Sequence, residues 1–315
     1  MIHFQAVSKD FGQIRALDQM ELEVAPGELC VLIGPSGCGK STALKMVNRL
    51  EEPSAGRVYV QGKNAADLDP VRLRRSMGYV IQSIGLFPHM TVWQNIQVVP
   101  GLLGWERDRI RARVGELMQL LDLDPAQIKD KYPRQLSGGQ AQRVGVARAL
   151  AADPEVLLMD EPFGALDPIT RHSLQTEMLK LQKELQKTVL FVTHDLEEAL
   201  RLGSRIAVMR QGRVLQYASP KSLLAEPADD FVLEFMGRDR ALKRLSLLQV
   251  ADRMQSSRGL EAGQHELGAG ESVSPESSLQ EALSQMLWLR TSSLAVVDKH
   301  GQLVGQLHYS DLLGA

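Results

Sequence analysis

The fold is decided by Gly34-Pro35-Ser36-Gly37-Cys38-Gly39-Lys40-Ser41-Thr42, which fits the pattern G-x-x-x-x-G-K-[ST]. The apolar run Leu29–Ile33 before it has strand composition, and residues 43–50 after it have the composition and apolar spacing of a helix. A strand, loop and helix of this kind aim successive backbone N–H groups at a polyphosphate. The stretch therefore predicts a nucleotide-phosphate site, with Lys40 reaching the outer phosphates and the Ser41 hydroxyl binding Mg²⁺.

Composition places the chain among globular proteins. Its 315 residues are 44% hydrophobic and 23% charged, which allows two domains or one large domain with an appendage. The net charge of −2 gives no electrostatic reason to expect a nucleic-acid partner. Cys30 and Cys38 are the only cysteines, so neither a disulfide framework nor a cysteine zinc site is expected, and a reducing, cytoplasmic setting fits. The first nine residues lack the features of a signal peptide.

One stretch has the length of a membrane span. Residues 76–105 contain no Asp, Glu, Lys or Arg. Polar side chains such as Gln82 and Asn95 would be costly in hydrocarbon, and Pro88 and Pro100 interrupt a continuous helix. We therefore expect this stretch to form a buried or partner-covered surface instead.

Polar residues follow three further apolar runs of strand type. Gln82 follows residues 77–81, Asp160 and Glu161 follow residues 156–159, and His194 follows residues 190–193. In an open parallel sheet the carboxyl ends of the strands line the ligand crevice. Asp160 could then hold Mg²⁺ and Glu161 could orient or deprotonate an attacking water. The alternative from the residues alone is that the acids cap a strand and the histidine is structural.

Two other features could contact a nucleotide. Leu136-Ser137-Gly138-Gly139-Gln140 precedes a helical run at residues 141–152, so small residues and a hydroxyl stand at a helix N-terminus, where an anion can bind. Phe11 lies in a predicted turn at residues 9–12, where it could stack on an adenine ring or belong to the core.

Taken in order, these motifs resemble those of the ATPase subunit of an ABC transporter over about residues 1–236. The matching features are the loop 34–42, Gln82, the segment 136–140, the pair Asp160-Glu161, the turn 165–167 and His194. The resemblance implies an α/β fold with a phosphate-loop (RecA-like) core, an antiparallel β subdomain and a helical subdomain at about residues 86–150. It further implies two copies facing head to tail, each ATP lying between Lys40 of one copy and residues 137–140 of the other.

The resemblance also implies roles for individual residues. Glu161 would be the base, His194 would contact the terminal phosphate, and Gln82 would sense Mg²⁺ and the attacking water. The implied metal ligands are Ser41, Gln82 and Asp160. The implied ATP-binding positions are Phe11, Gly34, Pro35, Ser36, Gly37, Cys38, Gly39, Lys40, Ser41, Thr42, Ser137, Gly138, Gly139, Gln140 and Asp167.

The implied partners are membrane proteins. In importers of this family the surface that follows the glutamine loop binds a coupling helix of the permease. Here that surface would lie near residues 86–89. The chain would then lie peripherally on the cytoplasmic face of the membrane, with a solute-binding protein acting indirectly and no nucleic acid involved.

The composition changes after residue 236. Residues 238–258 carry six basic and two acidic residues, and residues 259–281 carry five glutamates and no Lys or Arg. Residues 278–283 read as a helix, and residues 294–298 and 301–305 read as a hairpin-like pair of strands. This pattern resembles a single CBS-like α+β motif at 272–315. Residues 245–254 resemble only the opening of another, so we expect a linker with a partial CBS remnant at 237–271. His308 stands where many adenosine-binding CBS motifs have Thr or Ser, which favours a packing or dimerising role over nucleotide binding. The opposite charge blocks allow a response to ionic strength, or are solvated linker charges.

An ABC ATPase with a CBS-type tail resembles the subunits that energise uptake of quaternary amines such as glycine betaine, carnitine and choline. One alternative is an importer ATPase for a sugar, amino acid or metal. A more distant one is a DNA-repair or chromosome-organising ATPase, but those proteins insert long coiled coils or zinc modules between their motifs. The stretch from Lys40 to Ser137 has neither sustained heptads nor a cysteine cluster.

Overall fold

The structure is a computed structural model that describes residues 1–83, 85–256 and 272–312. The chain divides into two compact units, Met1–Ser219 and Pro220–Ala315. Most of the acidic block at 259–281, and with it the predicted attraction between charge blocks, lies outside the described residues.

The first unit contains two sheets and a group of helices. Its strands are β1 (Ile2–Phe11), β2 (Ile14–Val24), β3 (Leu29–Ile33), β4 (Ala55–Val60), β5 (Lys63–Asn64), β6 (Met77–Val80), β7 (Val156–Asp160), β8 (Thr188–Val192), β9 (Arg205–Arg210) and β10 (Arg213–Ala218). Its α-helices are α1 (Lys40–Val47), α2 (Pro70–Arg75), α3 (Val92–Leu102), α4 (Arg107–Leu120), α5 (Pro125–Ile128), α6 (Gly138–Leu150), α7 (Pro168–Leu185) and α8 (Leu196–Leu202).

The larger sheet has the strand order β10-β9-β3-β8-β7-β6 and is parallel except for the β9–β10 pair. Strands β3 and β8 are buried along their whole length, which explains why each reads as a continuous apolar run. Parallel pairing of β3, β8, β7 and β6 brings their four carboxyl ends to one edge of the sheet. These are the strand ends from which the sequence predicts a nucleotide site.

The smaller sheet is antiparallel, with the order β2-β1-β4-β5. Helix α1 packs against strands of both sheets, and one hydrophobic core joins them. Phe4 of β1, Leu44 of α1 and Leu190 of β8 are all fully buried members of this core. The predicted antiparallel β subdomain and parallel core are both confirmed, and α1 packs between them.

Helices α3, α4, α5 and α6 pack on one another and form the predicted helical layer. A capping box begins α3, because Thr91 and Gln94 bond each other's backbone N–H groups. The uncharged stretch 76–105 forms strand β6, a loop and the 11-residue helix α3. Among the described residues, every helix is too short or too polar to cross a bilayer.

The second unit is α+β. Its helices are α9 (Pro220–Ala225), α10 (Asp230–Met236), α11 (Arg240–Ser246), α12 (Leu279–Leu289) and α13 (Tyr309–Leu312). Its strands are β11 (Gln255–Ser256), β12 (Ser272–Val273), β13 (Ser293–Val297) and β14 (Leu303–His308), in the order β11-β14-β13-β12. The predicted helix after Ser278 and the antiparallel pair β13–β14 are confirmed.

The second unit includes helices from before the change in composition. It begins at Pro220, and its helix α9 packs against α11. Residues 245–256, where the sequence suggests a partial CBS remnant, supply Leu245 and Val250 to the core of this unit and strand β11 to its sheet. Burial of these two apolar side chains with Leu279 makes this segment part of the CBS-like fold.

Candidate active site

The phosphate loop leaves β3 and ends where α1 begins at Lys40. The Lys40 ammonium is buried and donates hydrogen bonds to the carbonyl oxygens of Gly34 at 2.7 Å and Pro35 at 3.1 Å. Gly39 has φ +106°, and a Cβ there would lie 2.5 Å from the Ala16 carbonyl oxygen of β2. Only glycine permits the loop to lie this close to β2, so the antiparallel sheet packs directly against the phosphate loop.

Ser41 and Asp160 meet at the ends of α1 and β7. The Ser41 hydroxyl donates to Asp160 Oδ1 at 2.9 Å. Burial raises the pKa of Asp160, while the Ser41 bond acts in the opposite direction. The predicted metal-binding pair is therefore assembled within one chain.

Glu161 is the centre of a cluster of three side chains. Its Oε2 accepts a hydrogen bond from Gln82 Nε2 at 3.2 Å and lies 3.1 Å from His194 Nδ1. The Glu161 backbone has φ +45°, an uncommon conformation for a residue other than glycine, and its N–H bonds the Val192 carbonyl of β8 at 2.9 Å. Residues held in this region cluster at functional sites.

The segment 137–140 forms the beginning of helix α6. Ser137 caps α6: its N–H donates to Gln140 Oε1 at 3.1 Å, and its Oγ accepts the Gln140 N–H at 3.2 Å. A Cβ at Gly139 would lie only 2.7 Å from Thr170 Cγ2, so glycine lets α6 approach the beginning of α7. Asp167 caps α7 by accepting the Thr170 N–H, and this bond lowers the pKa of Asp167.

Phe11 ends β1 opposite Ile14 of β2. Its ring is 45% exposed, and Lys9 Nζ lies 4.8 Å from the ring centroid. Phe11 is therefore not a core residue. Its ring lies at the end of the hairpin that packs against the phosphate loop, where it is available for stacking.

Sequence reasoning missed the residues that hold the loop after Gln82. Asn95 is fully buried, accepts the Phe87 N–H at 2.8 Å, and donates to the carbonyls of Phe87, Met90 and Thr91 at 3.0–3.2 Å. Arg148 of α6 donates to the Gly85 carbonyl at 2.7 Å. Asn95 lies between Gln94 and Gln97 in the sequence, so nothing there singles it out as a buried amide.

The residues present fit a magnesium ion that is shared with phosphate. Within residues 1–83, 85–256 and 272–312, no group of three or more His, Cys, Asp or Glu side chains could hold a metal ion. One hydroxyl and one carboxylate at 2.9 Å suit Mg²⁺, which usually takes one or two protein oxygens together with waters and substrate phosphates.

A phosphate loop on β3, acidic residues on β7 and polar residues ending β6 and β8 define the class of phosphate-loop nucleotide hydrolases. Comparison with known sequences is more specific. The ABC transporter family profile matches residues 17–164, and the CBS domain profile matches residues 271–315.

Two curated relatives match almost the whole chain. It is 49% identical over 310 residues to the osmoprotectant import ATP-binding protein OsmV of Salmonella typhimurium, covering 97% of this chain and 78% of the relative. It is 46% identical over 306 residues to the glycine betaine/carnitine/choline transport ATP-binding protein OpuCA of Bacillus subtilis, covering 97% and 77%. The chain therefore belongs to the family of ABC transporter ATP-binding proteins.

Solved structures support the same assignment for the first unit. The dimeric post-hydrolysis structure of the ATP-binding cassette MJ0796, bound to ADP and Pi, is 35% identical with a TM-score of 0.62. The match covers 70% of this chain and 99% of that chain. The chain is an ABC-type ATPase, and its α/β fold with a C-terminal CBS domain is as expected from the sequence.

Proposed function

We propose that Glu161 is the general base for ATP hydrolysis, and that hydrolysis drives import of quaternary-amine osmoprotectants through an ABC importer. One observation carries the chemistry: Glu161 contacts Gln82 and His194 at the ends of three neighbouring strands. Hydrolysis requires a group that orients an attacking water and accepts its proton. Glu161 is the carboxylate held in place for this task, since Gln82 fixes its Oε2 atom.

The other roles follow from position. Lys40 contacts the outer phosphates from the beginning of α1. His194 faces Glu161 through Nδ1, which leaves Nε2 for the terminal phosphate, and donation from both ring nitrogens requires the protonated imidazole. The Ser41 hydroxyl, the Asp160 carboxylate and the Gln82 amide oxygen would hold Mg²⁺, which would offset the negative charge of the phosphates.

The proposed active form is a head-to-tail dimer. Ser137 and Gln140 bond each other, and their helix packs on α7 through Gly139. The N-terminus of α6 is thus preformed, so it can bind the phosphates of a nucleotide held by a second copy. The dimeric structure of MJ0796 supports this arrangement. Phe11 is proposed to stack on the adenine, and Asp167 to contribute from the cap of α7.

The proposed solutes are glycine betaine, carnitine or choline, which share a quaternary ammonium group. The support is the relatives' names, which give osmoprotectant import and glycine betaine/carnitine/choline transport. The proposed partners are membrane permease subunits and, indirectly, a solute-binding protein, so that the chain acts at the cytoplasmic face of the membrane. Residues 86–89 are the proposed permease contact, because Phe87 is 40% exposed while Asn95 fixes its backbone.

The test is transport by the full chain reconstituted in liposomes with a quaternary-amine permease and its solute-binding protein. We expect ATP-dependent uptake of labelled glycine betaine or choline, none of labelled histidine, and none of any solute with Lys40→Ala. ATP turnover without uptake of any quaternary amine would refute the solute class. A wild-type chain without ATP turnover would refute the proposed catalytic roles.

A further inference from the structure

Arg171, near the beginning of α7, contacts two separate segments of the site. Its Nη2 donates a hydrogen bond to the Leu166 carbonyl at 3.1 Å, and its Nη1 lies 3.6 Å from Asp195 Oδ2. Leu166 belongs to the turn 165–167, and Asp195 directly follows His194. One guanidinium therefore joins the turn before α7 to the loop that carries His194.

Asp195 is itself firmly held, so the contact with Arg171 acts on the whole loop. Its Oδ1 accepts the N–H groups of Glu197 and Glu198 at 2.9 and 3.1 Å, which caps α8. Its own N–H donates to Thr193 Oγ1 at 3.0 Å. Because residues 193–195 are bonded to one another and to α8, a displacement of Asp195 also displaces His194 relative to Glu161.

Other contacts already hold α8 against α7. Gln175 Nε2 donates to Glu198 Oε1 at 3.0 Å, and both side chains are buried. Arg201 Nη2 donates to Thr176 Oγ1 at 2.8 Å. These bonds are to side chains of α7 and not to Asp195 or to the turn 165–167. Contacts other than those of Arg171 therefore also hold the two helices together.

Arg171 is also incompletely paired. Its Nε is buried and has no hydrogen-bond partner among the described residues. Buried polar atoms in a purely structural anchor are normally satisfied. The two nitrogens that do have partners, Nη2 and Nη1, contact Leu166 and Asp195.

We infer that Arg171 is a positioning residue for ATP hydrolysis, which keeps His194 against Glu161 and fixes the turn 165–167 relative to them. The inference rests on the proposed roles of Glu161 and His194. It assigns to Arg171 an effect on turnover rather than on nucleotide affinity, because Arg171 contacts Leu166 and Asp195 and no member of the phosphate loop.

The first test compares purified full-length Arg171→Ala, Arg171→Lys and Arg201→Ala. Arg171→Ala is expected to lower kcat about tenfold, because it removes one charged contact that orients a reacting group. The KM for ATP should change less than about twofold. Arg171→Lys keeps one charged contact and should give an intermediate kcat. The control Arg201→Ala loosens the same pair of helices, so it should lower Tm and leave kcat within about twofold.

The second test is a double-mutant cycle with His194, measured by single-turnover hydrolysis so that slow rates are resolved. If Arg171 acts through His194, Arg171→Ala combined with His194→Ala hydrolyses ATP at the rate of His194→Ala alone, within about twofold. The inference would be overturned if the rate losses of Arg171→Ala and His194→Ala multiplied in the double variant. It would also be overturned if Arg201→Ala lowered kcat as much as Arg171→Ala does. An active wild type with an equally active Arg171→Ala refutes this inference alone and leaves the proposed function standing.

Discussion

Replacing Glu161 by glutamine tests the centre of the proposed mechanism. Glu161 Oε2 accepts from Gln82 at 3.2 Å and faces His194 Nδ1 at 3.1 Å. An amide oxygen in the same position keeps both contacts, since an amide has the shape of a carboxylate. The substitution therefore removes the base and leaves its neighbours in place.

The expected magnitude follows from this geometry. Loss of a positioned general base costs about 100- to 10,000-fold in kcat. ATP affinity should change less than about threefold, because no contact of Lys40 or Ser41 is lost. The charge of Glu161 contributes to the raised pKa of Asp160, so the neutral amide should also move the pKa of Asp160 towards its usual value.

The assay is steady-state ATP turnover together with equilibrium binding of ATP and size analysis of the dimer. Glu177→Gln is the matched control, because Glu177 pairs with Arg143 (Nε to Oε2, 3.0 Å) away from the Glu161 cluster. It should reduce the free energy of unfolding by about 1–2 kcal/mol and leave kcat within about threefold. A Glu161→Gln chain that turns over ATP at close to the wild-type rate would show that Glu161 is not the base.

Three further changes have defined outcomes. Because burial raises the pKa of Asp160, the ionised form destabilises the fold, and stability increases as pH falls through that pKa. Asp160→Asn should therefore raise Tm at pH 7, remove this pH dependence, and weaken Mg²⁺-dependent ATP binding. A mixture of Ser137→Arg and Lys40→Ala chains should hydrolyse ATP above either variant alone, since a mixed dimer contains one intact composite site. Asn95→Ala should cost about 2–4 kcal/mol of unfolding free energy by urea titration, because it leaves the Phe87 N–H and several carbonyls unpaired.

Each of these predictions has its own control. Ser41→Ala should not raise Tm as Asp160→Asn does, and an unchanged or lower Tm for Asp160→Asn would contradict the burial argument. If crosslinking shows that Ser137→Arg and Lys40→Ala chains form heterodimers and the mixture is still inactive, the proposal is contradicted. The contradicted proposal is that each site is shared between two copies and that one intact site is enough for hydrolysis. Asn95→Asp keeps the acceptor for the Phe87 N–H but loses the donors, so it should destabilise as well; wild-type stability for both Asn95 variants would refute the role of this amide.

The sequence by itself determined the features that depend on residues adjacent along the chain. The loop 34–42 needs glycines for its backbone and a following helix for its N–H groups, and both requirements are local. Strand runs that end at Val80, Asp160 and Val192 are equally local, since burial on both faces demands continuous apolar residues. Capping boxes at Ser137 and Ser278 are encoded within four residues.

Only the tertiary structure decided which distant side chains share a contact. Nothing near Arg171 in the sequence indicates that it reaches both Leu166 and Asp195, and nothing near Asn95 distinguishes a buried amide from an exposed one. Likewise, Leu245 and Val250 share a core with Leu279, which is distant along the chain, and only the packing shows this contact. The physical reason is that backbone conformation and capping depend on adjacent residues, whereas burial and hydrogen-bond partners of a side chain are set by which elements pack together.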